Sequence, residues 1–131
     1  MFSRLVCIAL LTLPAACLAF SSGPPDGLTG APGEATCVSC HGTFPLNSGS
    51  GSLALSGLPA EYVPGETYDL TITLADPDAA RWGFELTVLD GAGDRAGMLA
   101  VTDPGTQLSA GGSRDYLKHN GAGTAPGTTG E

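Results

Sequence analysis

The stretch TYDLTITL, residues 67–74, alternates Tyr68, Leu70, Ile72 and Leu74 with Thr67, Asp69, Thr71 and Thr73. A strand turns successive side chains to opposite faces, so this period of two predicts a strand buried on one face. Helical apolar positions recur every three or four residues instead. RWGFELTVL, residues 81–89, repeats the device with Trp82, Phe84, Leu86 and Val88 on one side. Weaker strand candidates are SLALSGL around Leu53 and Leu55, GMLAVT from Met98 to Thr102, and DYLKH at 115–119. Turn signals separate them at Pro64-Gly65, Asp76-Pro77, Asp90-Gly91 and Asp103-Pro104-Gly105. No segment sustains a helical period, so the expected fold is all-β and mostly antiparallel.

A chain of 131 residues has room for one domain. Residues 1–19 read as an export signal: Arg4 supplies a positive start, LVCIALLTL an apolar run, and Cys17-Leu18-Ala19 the small residues a signal peptidase reads. Pro14 interrupts the apolar run, which is shorter than the roughly 20 residues a membrane-spanning helix needs. LPAAC also has the look of a lipidation site at Cys17, but Pro14 stands where a large aliphatic residue belongs. Cleavage removes Cys7 and Cys17 and leaves Cys37 and Cys40. Residues 20–51 form a Gly/Pro-rich arm, expected to be extended and irregular. Its second half, GTFPLNSGSGS, offers only Phe44 and Leu46 for packing. Residues 52–131 carry the strands. Five candidates fall short of the about seven that close a sandwich, and the tail GAGTAPGTTGE reads as a linker, so the sandwich is expected to be incomplete.

Five basic residues face 13 acidic ones, and losing Arg4 with the signal leaves four, a net charge of −9. That balance excludes nucleic acid and anionic membrane surfaces as natural partners. The acids are scattered through loops and alternate strand positions, and are expected to form a solvated surface.

CVSCH, residues 37–41, is where chemistry concentrates. In a covalent c-type haem site two thiols add to the two porphyrin vinyl groups, and the next residue is a histidine that reaches the iron. Cys37, Cys40 and His41 supply these groups in order, in a chain with an export signal. Other readings stay open. A thioredoxin-type CxxC needs a βαβ setting that is not visible, and a structural zinc needs four ligands where the mature chain has Cys37, Cys40, His41 and His119. A plain disulfide is possible in an oxidising compartment. If haem binds, His41 is the proximal ligand. His119 is the favoured distal ligand, sharing a strand face with Leu117; Met98 is the alternative, though its neighbours Leu99 and Val101 suggest a core strand. A haem with both axial positions filled accepts and releases one electron, which requires a redox partner protein. No nucleophile–base set, phosphate loop or paired-carboxylate motif points to an enzyme.

The series GPPDGLTGAPGEATCVSCH, GLPAEYVPGETYDLTITL, RWGFELTVLD and YLKHNGAGT resembles the reeler-like secreted bacterial domain called the choice-of-anchor V domain, over nearly all of the mature chain. The resemblance implies an immunoglobulin-like β-sandwich exported across the inner membrane to the periplasm or cell surface. It also implies further strands and a C-terminal anchor, which are expected to be missing from a chain ending at Glu131. The leading expectation is an exported monohaem cytochrome-like electron-transfer protein. The alternative is a cell-surface structural or adhesion module whose CxxC is a disulfide.

Overall fold

The computed structural model describes residues 22–79, 81–110, 112–121 and 129–130. The expected export signal lies outside them, as does most of the tail. The strands are β1 (Ser52–Ser56), β2 (Thr71–Ala75), β3 (Glu85–Leu86), β4 (Thr106–Ser109), β5 (Tyr116–His119) and β6 (Thr129–Gly130); a short 3-10 turn at Cys37–Ser39 precedes them. They form two three-stranded sheets, ordered β1-β2-β6 and β3-β5-β4, with every pairing antiparallel. The fold is all-β among the described residues.

Alternation sets the faces. The β1–β2 register places Leu53 opposite Leu74 and Leu55 opposite Ile72. Directly opposed residues share a face, so these four aliphatic side chains gather on one side of the sheet. In the second sheet Leu86 and Leu108 both oppose Leu117, while Glu85 and Gln107 both oppose Lys118. One face is therefore apolar and the other polar. No described apolar side chain is fully buried, and Leu53 is 65% exposed. The apolar faces line an open cleft rather than a closed core.

Several expectations are corrected. The strand within TYDLTITL begins at Thr71 rather than Thr67, because its partner β1 gives out first. Gly57, at φ +87°, ends β1 where its backbone passes so close to Asp69 that a Cβ would lie 2.0 Å from the Asp69 carbonyl oxygen. Pro59 then offers no N–H to continue the ladder. RWGFELTVL keeps only Glu85–Leu86 as a strand, because side chains take over the neighbouring backbone groups. His119 Nδ1 lies 3.0 Å from the Phe84 nitrogen, and Thr87 Oγ1 donates to the Asp115 carbonyl at 2.9 Å.

GMLAVT is not a strand. A bridge between Leu89 and Arg95 closes a tight reversal in which Asp90 Oδ1 accepts from the Ala92 and Asp94 N–H groups. Gly97, at φ +67°, then turns the chain outward and leaves Met98 93% exposed rather than in a core. Phe44 and Leu46 do not pack either, at 73% and 56% exposure. Thr106–Ser109 is a strand that no sequence expectation included. The tail is more than a linker, since Thr129 and Gly130 pair with Ala75 and Leu74.

The close approach at Gly57 can be tested against Gly65, which has φ +89° but open space where a Cβ would stand. Gly65→Ala is expected to cost only the left-handed backbone penalty, about 1 kcal/mol. Gly57→Ala adds a backbone clash, for about 2–3 kcal/mol in total. Urea-denaturation midpoints of the two variants measure the difference, and equal midpoints would show that the approach to Asp69 is not made.

Candidate functional site

The first half of the arm is not irregular. Thr29 and Thr36 form an antiparallel bridge, and the Gly30 N–H donates to the Ala35 carbonyl at 2.8 Å. The tip, Ala31-Pro32-Gly33-Glu34, has proline second and a glycine at φ +83° third, the pattern of a type II turn, and is closed by the Glu34 N–H on the Ala31 carbonyl at 2.9 Å. Only a residue at ease with positive φ fits the third place.

This hairpin delivers the chain into CVSCH. Thr36 is extended and caps the turn Cys37–Ser39, and the N–H groups of Cys40 and His41 both donate to the Cys37 carbonyl, at 3.2 and 2.9 Å. Side chains three apart on such a turn lie one above the other. Cys37 opens the turn and Cys40 closes it, with His41 next in the chain, and all three residues are exposed.

The arm is fastened to the polar face of β3-β5-β4 by carboxylates. Lys118 Nζ forms an ion pair with Asp26 and donates to the Pro24 carbonyl at 2.8 Å, while Ser109 Oγ donates to Asp26 Oδ2 at 2.6 Å. Arg114 and Tyr116 both donate to Glu34 Oε1, at 2.6 and 2.8 Å, and Thr29 donates to Glu34 Oε2 at 2.5 Å. Glu85 Oε2 accepts the Leu28 N–H at 2.7 Å, and Gln107 donates to the Ser22 carbonyl at 2.6 Å. Hydrogen bonds from Lys118 and Ser109 hold the Asp26 carboxyl below its ordinary range. Burial works to raise Glu34, but the donors Thr29, Arg114 and Tyr116 outweigh it and the net shift is downward. The same bond pushes Tyr116 up to about 12.

Four acids depart from the expected solvated surface. Asp26, Glu34, Glu85 and also Asp115, which pairs with Arg95 at 3.2 Å, carry structural contacts. Scarcity of cations was the available signal: three of the four basic residues beyond the signal, Arg95, Arg114 and Lys118, pair with acids.

Cys37 Sγ lies 3.8 Å from the Leu28 carbonyl oxygen. Burial of the sulfur, then the charge of Glu85, push its thiol up. A raised thiol disfavours the thiolate that redox and nucleophilic cysteines need. Glu85 is itself pushed up by burial, partly offset by the Leu28 N–H, and its Oε1 is buried with no hydrogen-bond partner among the described residues. Among the described residues no three His, Cys, Asp or Glu side chains gather in a group able to hold a metal ion.

Cys37, Cys40 and His41 share one short turn because they are neighbours in the chain, and the distal candidates lie elsewhere. In β5, Tyr116 and Lys118 face the arm, so alternation puts Leu117 and His119 on the opposite face. The imidazole lies over Gly83, where a Cβ would approach within 2.4 Å of the ring, and Nδ1 sits 3.0 and 3.1 Å from the Phe84 nitrogen and oxygen. Met98 stands out on its exposed loop.

Two thiols on one turn, a histidine next to them, and the exposed apolar side chains of Phe44, Leu46 and Leu53 nearby in sequence fit a covalently held porphyrin. No helix among the described residues is long and apolar enough to cross a membrane. Compared with known proteins, the chain matches no family model, no curated protein and no solved structure.

Depressed carboxyl pKa values give the arm a pH dependence of definite sign. Asp26 and Glu34 contribute stability above their unfolded values near 4, and that contribution is lost as pH falls through their lower folded values. Protection factors of the amides of residues 22–36 are expected to fall on acidification below about pH 4 before those of β5 do. Glu34→Gln is expected to loosen the arm already at pH 7, at a cost of about 2 kcal/mol. Exchange in the arm that tracks β5 at every pH would show that the fasteners are not separable.

Proposed function

We propose that this chain is an exported c-type haem protein that transfers single electrons, with the haem carried by the arm and a reeler-like, immunoglobulin-like β-sandwich as its support. The observation that supports the reading is the closed, exposed turn at Cys37–His41, where the Cys40 and His41 N–H groups both donate to the Cys37 carbonyl and keep the two cysteines and the histidine on one short piece of backbone. The export signal read at residues 1–19 supports it, because c-type haem is attached outside the cytoplasm, and points to the periplasm or the cell surface. The sandwich identity rests on the sequence motifs and on the two antiparallel sheets.

Each cysteine has one task. The Cys37 and Cys40 thiols would hold the haem by adding across its vinyl double bonds: sulfur would bond one vinyl carbon and the thiol hydrogen pass to the other, with no oxidant consumed. His41 would supply a ring nitrogen to the iron. When bound, the haem supplies a one-electron couple whose potential follows its axial ligands and burial. His119 is the better placed of the two distal candidates in one respect. The Phe84 N–H donates to His119 Nδ1 at 3.0 Å, so the backbone fixes where the imidazole sits. Met98, almost wholly exposed, has no packing among the described residues to orient it.

Coexpression with haem-maturation machinery tests attachment. The product is expected to retain haem after denaturation, and Cys37→Ala with Cys40→Ala is expected to abolish retention. A colourless wild-type product under those conditions would sink the reading and leave a structural surface module. Spectra of the coloured product decide the distal ligand. His119→Ala is expected to convert a low-spin haem to a high-spin or ligand-accepting one with attachment intact; loss of the low-spin signal in Met98→Ala instead would assign Met98.

A further inference from the structure

We infer that the cleft between the arm hairpin, the edge strand β3 and the aliphatic face of β1–β2 receives the vinyl-bearing edge of the haem. The inference rests on the haem reading above and gives the group a seat on this chain. The cleft has a volume of about 360 Å³, with Leu53, Leu55 and Ile72 on one wall, Phe84 and Leu86 on another, and Thr29 at the arm side. That is at the low end of the about 300–1,000 Å³ of small-molecule sites, so it takes one edge of a planar tetrapyrrole rather than the whole.

Three observations select this occupant and this edge. The tether is adjacent: Thr29 in the cleft wall pairs with Thr36, the residue that caps the CVSCH turn, so the attachment point is one residue from the rim. Cys37 Sγ is turned toward the same segment, 3.8 Å from the Leu28 carbonyl. The third is charge. Glu85 is the single ionisable side chain of the lining, and its Oε1 is buried without a partner among the described residues. The lining therefore offers the haem propionates no cationic partner, whereas the opposite edge, whose vinyl carbons take the two thioether bonds, is apolar, uncharged and needs none. Attachment chemistry and cleft electrostatics therefore demand the same orientation, with the propionates toward solvent.

Burial supplies the driving force. None of the aliphatic side chains of the walls is fully buried, and covering apolar surface removes it from water.

Methyl NMR on the ferrous holoprotein, with the Cys37→Ala/Cys40→Ala protein as the haem-free reference, tests the seat. The porphyrin ring current is expected to move the methyl resonances of Leu53, Leu55 and Ile72 upfield and leave those of Val101 and Leu108, which lie outside the cleft, in place. Leu55→Asn, read on the same haem-stained holoprotein, is expected to keep covalent attachment while lowering the midpoint potential, because water admitted at the buried edge favours the ferric charge. Attachment with unmoved Leu53, Leu55 and Ile72 methyls would overturn the cleft and leave the haem reading standing. Failure of attachment in the wild-type chain would overturn both.

Discussion

Everything around the CVSCH turn depends on how a segment nearly devoid of apolar side chains is held on a sheet. Between Ser22 and Thr36 the only large aliphatic residue is Leu28, so hydrophobic burial cannot fasten the arm. Charge-assisted hydrogen bonds do so instead, and these are roughly twice as strong as neutral ones. Glu34 sits at the centre, its side chain only 7% exposed and accepting from three donors on two separate segments. Removing one partner of such a pair strands the other without compensation, which is why the fasteners act together rather than as independent surface bridges. Lys118 extends the same principle to the other end of the arm: it is nearly buried and satisfied by Asp26 and the Pro24 carbonyl.

The two faces of β5 divide the labour. Tyr116 and Lys118 hold the arm, while Leu117 joins the apolar side with Leu86 and Leu108. A one-residue slip in register would exchange the sets, exposing the leucines to the arm and burying the lysine among aliphatics. His119 therefore shares the apolar face, and its ring completes the end of the β3 ladder by engaging the Phe84 backbone where a ladder bond would otherwise run. The same geometry separates it from the CVSCH turn by the thickness of a sheet, so distal ligation by His119 demands that the haem reach around the β3 edge. That edge borders the cleft.

The open core follows from the same economy. Short strands carry their aliphatic residues on one face, yet none of these is fully buried, because the walls meet across a cleft rather than interdigitating. Closely packed interiors owe their stability to filled space, and the proposed haem edge is apolar volume of the right kind at the right place.

Much of this was legible in the chain. The period of two in ITL and in YLKH named β2 and β5, SLALS named β1, and the turn residues Asp90-Gly91 and Asp103-Pro104-Gly105 lie at real reversals. The Cys37-Val38-Ser39-Cys40-His41 order by itself determined that two thiols and an imidazole would stand within five residues, whereas the turn that closes them was not expected in an arm read as irregular. What the tertiary structure alone decided is everything that needs a distant partner. Residues 67–70 lost their strand because Gly57 ended β1; GMLAVT lost its own because Gly97 turned it outward; TQLS gained one because β5 lay beside it. The acids became fasteners only once Arg114 and Lys118 were brought to within hydrogen-bond reach from about 80 to 90 residues away. Local periodicity is written in neighbouring residues, whereas pairing, burial and the charge around a thiol are properties of residues that meet only after the chain has folded.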